Sequence, residues 1–199
     1  MEKIILIGFG GHSKSVIDTI ERQNKYDIIG VLEVPGKENC KYRDYHVIGT
    51  DERLEELYEN GIRNAFVTLG FMGYSSVRNY VYHKLKRIGF TLPSIADPAA
   101  IIADDVLIGE GTFVGKGAII NADAIVGKMC IINTRAVLEH EVRVGDFCHI
   151  SVGTILCGRA LVKKNTFIGA GATVIQGIHI GEASMIGAGT TIVRDVEDK

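Results

Sequence analysis

The sequence lacks a charge surplus of either sign: 22 Lys and Arg stand against 24 Asp and Glu, a net charge of −2. No basic field exists to hold nucleic acid or an anionic membrane surface. Long apolar runs are missing too. Runs such as Ile4 to Ile7 fall far short of the roughly 20 residues that span a bilayer. Met1 leads straight into Glu2, Lys3 and a strand-like run, without the apolar stretch and small-residue cleavage site of a signal peptide. The expectation is a cytoplasmic protein. Only four cysteines occur, Cys40, Cys130, Cys148 and Cys157. They form no CxxC pair and no dense framework, which argues against a zinc or disulfide scaffold and for reduced, buried thiols. What remains is ordinary: 46% hydrophobic and 23% charged residues over 199 positions, enough for one large domain or two small ones.

The informative feature is a period of six. From Ile102 the positions read Ile102, Ile108, Val114, Ile120, Val126, Ile132, Leu138, Val144, Ile150, Leu156, Val162, Ile168, Val174, Ile180, Ile186 and Ile192, sixteen anchors without a slip. Two residues before each anchor the residue is mostly small, as at Ala118, Ala124, Cys130, Ala136, Cys148 and Thr154. Directly after it glycine or asparagine is frequent, as at Gly109, Gly127, Asn133 and Gly145, residues that tolerate the bends of a chain turning after every short strand. One large and one small inward residue per hexad describes a triangular prism. Three strands make a coil of eighteen residues, and each coil bonds only to its neighbours. Apolar residues off the anchor phase (Ile119, Ile125, Ile131, Val137, Ile155, Leu161) point to faces packed against a partner.

The first 96 residues read differently. Lys3 to Ile7 is a buried strand ending in Gly8-Phe9-Gly10-Gly11-His12-Ser13-Lys14, followed by a helical stripe at Val16, Ile17 and Ile20. Ile28 to Leu32 is a second strand. Thr50 or Asp51 caps a short helix through Tyr58, Ala65 to Leu69 is a third strand, Ser75 to Ile88 a second long helix, and Phe90 to Ile95 a last strand. This alternation predicts a small parallel α/β sheet, Rossmann-like in character. Asp97-Pro98 marks the junction, giving domains 1–96 and 97–199. The glycine turn lets backbone amides approach an anion at a helix N-terminus. As a dinucleotide fingerprint it is incomplete, because Ser13 stands where a third glycine is wanted. Glu33 ends the second strand, where an acid can bind a ribose hydroxyl or simply be a solvated edge carboxylate.

Four stretches carry a resemblance: Ile7-Gly8-x-Gly10-Gly11-His12-x-Lys14, Ile48-Gly49-Thr50-Asp51, Asn133-Thr134-x-Ala136-Val137-Leu138-Glu139-His140-Glu141, and Val144-Gly145-Asp146-Phe147-x-His149-Ile150-Ser151. Over essentially the whole chain they resemble the PglD/NeuD-type bacterial sugar acetyltransferases. That resemblance implies a left-handed winding of the prism, an exception to the usual right-handed crossover. It also implies a homotrimer with parallel prisms and active sites at subunit interfaces, acetyl-CoA as co-substrate, no metal, and a nucleotide-linked sugar as acceptor. On its terms His140 is the general base, Glu141 orients it, and Asn133 lies near the reacting acetyl group. His149, Ala170 and Ala188 touch acetyl-CoA, and Gly158 offers an amide to the oxyanion. Gly10, Gly11 and His12 contact the nucleotide sugar, with Glu33 and Gly70 matched more loosely. The chain departs from the family pattern at Val34, at Phe71 to Tyr74, at Arg135, at Val152 and at Asp97.

The leading expectation is therefore N-acetylation of a nucleotide-linked amino sugar. O-acetylation of a sialic-acid-like sugar uses the same base on a hydroxyl. A metal-dependent enzyme resembling γ-type carbonic anhydrases needs histidines converging on one ion. His140, His149 and His179 are spaced by 9 and 30 residues, neither a multiple of the coil. A non-catalytic sugar-binding module is the remaining alternative, and a Glu141 beside His140 argues against it.

Overall fold

A computed structural model describes all 199 residues. The chain divides into two compact units: Met1–Gly70 with Ser76–Pro93, and Phe71–Ser75 with Ser94–Lys199. No helix is long and apolar enough to cross a membrane.

In the first unit β1 (Glu2–Ile7), β2 (Tyr26–Leu32), β3 (Lys41–Tyr42), β4 (Tyr45–Gly49) and β5 (Asn64–Val67) form a sheet of order β3-β4-β2-β1-β5. All neighbours are parallel except the short β3–β4 hairpin. The helices are α1 (Gly11–Gln23), α2 (Leu54–Glu59) and α3 (Ser76–Ile88). Val16, Ile17 and Ile20 of α1 are fully buried, as their helical spacing predicts. Thr50 caps the 3₁₀ turn that leads into α2, its hydroxyl accepting from the Glu52 amide. One strand pair is absent from the sequence reading, and one expectation needs correction. The hairpin over Lys41–Gly49 carries too few apolar residues in alternation to register as strands. Phe90 to Ile95 is not a strand of this sheet: Thr91 makes a single bridge to Asn64, and Pro93 interrupts the segment. Ile95–Ala96 pairs instead with Phe113–Val114 of the second unit.

That unit is the left-handed β-helix. Seventeen two-residue strands stack in three parallel sheets of six, six and five. The register is eighteen residues throughout, as in Ile120↔Leu138 and Leu138↔Leu156. Every anchor is the second residue of its strand. The thirteen from Val114 to Ile186 are buried, and only those near the ends are partly exposed, as a one-dimensional stack requires. Full burial of each such aliphatic side chain stabilises by about 1.5–3 kcal/mol. At the far end Val196 bridges to Ile180, so the C-terminal segment covers an otherwise open edge.

The glycines after the anchors do something other than bend the chain. A Cβ on Gly127 would sit 2.7 Å from the Asp146 amide nitrogen, and one on Gly145 would sit 2.6 Å from that of Lys164. They permit coils to stack closely. The bend falls two residues later, at a left-handed position in each corner: Asp123, Glu141, Arg159 and Gly177 on one edge, Gly117, Arg135, Gly153, Gly171 and Gly189 on another.

The small inward residues of one corner are Thr112, Cys130, Cys148, Thr166 and Ser184, all buried. Thr112 Oγ1, Cys130 Sγ, Cys148 Sγ and Thr166 Oγ1 each donate to a carbonyl fifteen residues on, which satisfies polar groups inside an apolar prism. Burial pushes the Cys148 thiol well above its ordinary pKa, so it stays protonated and inert. Titration of the native protein with an aromatic disulfide reagent should therefore label no more than Cys40 and Cys157, which are part-exposed. All four thiols should react after unfolding.

Candidate active site

The corner formed by Glu139 to Val142 is a four-residue turn closed by the Val142 amide donating to the Glu139 carbonyl. Its third residue, Glu141, has φ +60°, as a type II turn demands. That conformation folds the Glu141 side chain back toward its neighbour, and His140 Nδ1 lies 2.9 Å from Glu141 Oε2. A carboxylate accepts only, so Nδ1 carries the proton and Nε2 is left as the proton acceptor. Both side chains are about half exposed, at 52% and 47%, and so can be reached by a substrate. One coil on lies Gly158, where an added Cβ would meet His140 Cε1 and Nε2 at 2.6 Å. Glycine leaves room for the imidazole to lie over it. The Gly158 amide donates to no carbonyl of the chain.

Asn133, His149, Ala170 and Ala188 lie elsewhere on the prism. Asn133 Nδ2 is 3.2 Å from His149 Nε2, and His149 Nδ1 is 2.7 Å from the Phe71 carbonyl oxygen. Ala170 and Ala188 stack on the edge that carries Gly171 and Gly189, and both are exposed. Within one chain, therefore, His140, Glu141 and Gly158 occupy one edge and Ala170 and Ala188 another, a hexad away. Arg135 is exposed on the latter edge at φ +57°, where the other coils place glycine. Ile131, expected on a partner-facing surface, is instead fully buried within the chain, while Ile125 and Ile155 stay about two-fifths exposed. No group of three or more His, Cys, Asp or Glu side chains converges in the fold.

In the first unit the glycine turn runs from the end of β1 into the first turn of α1, with Gly10 as N-cap. Gly8 has φ +104°, and a Cβ there would strike Leu69. Gly10 and Gly11 have no such excuse: neither has positive φ, and a Cβ on either would meet nothing within 4 Å. Folding does not demand glycine at these two positions, whereas a closely approaching ligand would. Gly70 lies against His12, its would-be Cβ 3.6 Å from His12 Cβ. Glu33, for which a ribose contact is expected, also makes contacts within the chain. Its side chain is only 6% exposed, Oε2 accepts from the Phe9 amide at 2.6 Å and Oε1 from the Val34 amide at 2.9 Å. It holds the turn in shape.

Two features were not visible in sequence. Arg78, 1% exposed in α3, donates to the carbonyls of Val67 and Leu69, fixing a positive charge at the carboxyl end of β5. Its only sequence signal is an arginine on the apolar face of a helix. Nearby is a cavity of about 240 Å³ lined by Leu32, Val34, Pro35, Leu69, Val77 and Tyr80 among others.

A stacked β-helix with an exposed His–Glu pair at one corner places the chain in the class of hexapeptide-repeat transferases. Residues 159–194 match the family described as bacterial transferase hexapeptide (six repeats), and residues 3–85 match the PglD N-terminal domain. A comparison with curated protein sequences gives no match. Among solved structures, PerB from Caulobacter crescentus in complex with CoA and GDP-perosamine is 33% identical, with 100% of this chain and 92% of that chain covered and a TM-score of 0.91. The acetyltransferase domain of PglB from Neisseria gonorrhoeae, in complex with acetyl coenzyme A, is 28% identical, with 99% and 93% covered and a TM-score of 0.89. The chain belongs to the PglD/NeuD-type sugar acetyltransferases.

Proposed function

We propose that this protein transfers the acetyl group of acetyl-CoA to the amino group of a nucleotide-linked amino sugar. The observation that carries the reading is the His140–Glu141 pair at 2.9 Å, set over Gly158 on an accessible corner. The amine nitrogen attacks the thioester carbonyl, forming the C–N bond. His140 Nε2 takes the proton the amine sheds, and Glu141 stabilises the imidazolium. The C–S bond then breaks, and the proton passes from His140 to the departing CoA sulfur. The open Gly158 amide would donate to the oxyanion that develops between these steps. No covalent enzyme intermediate is needed.

The first unit would hold the acceptor. Gly10 and Gly11 admit a diphosphate to the amides at the start of α1, His12 and Gly70 flank that approach, and buried Arg78 adds a fixed positive charge. The apolar cavity beside Leu32 and Tyr80 suits the flat ring of a base. The edge carrying Ala170 and Ala188 is smooth enough for the chain of acetyl-CoA to lie along. Because His140 stands on a different edge, a homotrimer with parallel prisms would pair one chain's His140 with the next chain's alanine edge. The half-exposed aliphatics Ile125 and Ile155 supply apolar surface for such contacts. Asn133 and His149 stand beside the alanine edge.

The test is an acceptor comparison in the presence of acetyl-CoA: GDP-perosamine, UDP-linked 4-amino sugars and free nonulosonic acids. The expected result is release of CoA thiol with a nucleotide-linked amine and none with the free acids. Turnover of the free acids alone would establish O-acetylation instead.

A further inference from the structure

We propose that Asp51 and Lys84 read the base of the acceptor's nucleotide, and that the base they select is guanine. The inference rests on the function proposed above, in that a nucleotide-linked sugar is the acceptor.

The cavity of the first unit lies just past the carboxyl ends of β1 and β2, where open α/β sheets receive their ligands. All of its lining residues belong to that one unit. Three of them are large apolar side chains left well exposed, Val34 and Val77 at 58% and Tyr80 at 60%. Apolar side chains gathered about one opening mark a surface that a ligand covers. A slot walled by aliphatic residues and a tyrosine fits a flat aromatic ring.

Two acids line this slot. Glu33 gives one oxygen to each of two backbone amides, those of Phe9 and Val34. Asp51 makes a single bond, Oδ2 accepting from Lys84 Nζ at 2.8 Å, and its Oδ1 stays open. The fold makes little demand on Asp51. The hydroxyl of Thr50 already caps the 3₁₀ turn, and a part-exposed ion pair adds little stability. Lys84 follows Tyr80 by one helical turn, its Nζ 6.0 Å from the centroid of that ring. The ion pair therefore stands beside the tyrosine wall.

The pair offers two acceptors, Oδ1 and Oδ2, followed by one donor, Nζ. Guanine carries the complement on its edge: donors at N2 and N1 next to the O6 acceptor. No other common base does. Uracil sets one donor between two acceptors, cytosine has two acceptors and one donor, and adenine has one of each. A site built to hydrogen-bond one edge rejects the others because its own polar atoms are then left unpaired.

The test is calorimetric titration of the full chain with GDP, UDP, ADP and xanthosine diphosphate, in the wild type and in Asp51→Asn. The wild type should bind GDP at least about tenfold more tightly than UDP or ADP, the scale of hydrogen bonds to a charged group. Asparagine keeps one acceptor and turns the other into a donor, so Asp51→Asn should lose about tenfold toward GDP. It should gain about tenfold toward xanthosine diphosphate, whose C2 carbonyl replaces the guanine amino group, and hold UDP within about twofold. A gain of that kind cannot come from a damaged fold. Equal binding of GDP, UDP and ADP by the wild type, or binding of none, would overturn the proposal. So would a uniform loss toward every diphosphate in Asp51→Asn, which would make Asp51 a structural residue. A chain that binds GDP as expected but acetylates no GDP-linked amine sinks the proposed function alone. One that acetylates a UDP-linked amine in preference sinks the base reading alone.

Discussion

Replacing His140 with alanine should lower kcat by about a thousandfold with the fold intact, within the span typical of a lost general base. The histidine is half exposed and its side chain's only polar partner is the adjacent Glu141, so little structural stability depends on it. The melting temperature should move by no more than a degree or two, and calorimetric binding of CoA should persist. Glu141→Gln is the informative companion. It keeps the side-chain shape but removes the charge that steadies the imidazolium, and the loss should be smaller than for His140→Ala. A His140→Ala enzyme with near-native turnover would show that the proton leaves by another route.

The second large effect belongs to a residue with no chemistry of its own. Gly158→Ala places a methyl group 2.6 Å from two ring atoms of His140. The ring is the free end of a flexible, half-exposed side chain, so it swings aside more cheaply than the coil can open. Stability should hardly change while kcat falls about a hundredfold, the scale set by a displacement of about 1 Å in a reacting group. Circular dichroism and a melting curve, read beside the rate, separate this from unfolding. A variant that melts far below the wild type would mean that the close approach lies in the backbone, not in the imidazole.

Much of this was legible before any coordinates. Sixteen aliphatic anchors at a spacing of six describe a prism because each short face turns one large residue in six inward, and the thirteen central anchors are indeed buried. The Glu-His-Glu corner stood out because a histidine two residues past an anchor falls at a bend, outside the core. The glycine turn was readable because its spacing follows a buried strand.

What escaped was whatever depends on contacts between distant residues. The hexad pattern does not say that Gly127 and Gly145 make room for the next coil while Glu141 and Arg135 do the bending; that depends on stacking across eighteen residues. Nor could spacing show that Glu33 turns inward to the Phe9 amide, or that Arg78 lies buried against β5. The strand expected at Phe90 to Ile95 failed because Ile95 finds its partner in Phe113, and local propensity cannot choose between two sheets.

The absence of long apolar runs and of surplus charge, with a period of six, was determined by the sequence alone, because short-range periodicity fixes which side chains face inward. Only the tertiary structure decided that Gly158 lies beneath the His140 ring and that His149 reaches the carbonyl of Phe71. Those pairs are 18 and 78 residues apart, and nothing but the folded stack brings them together.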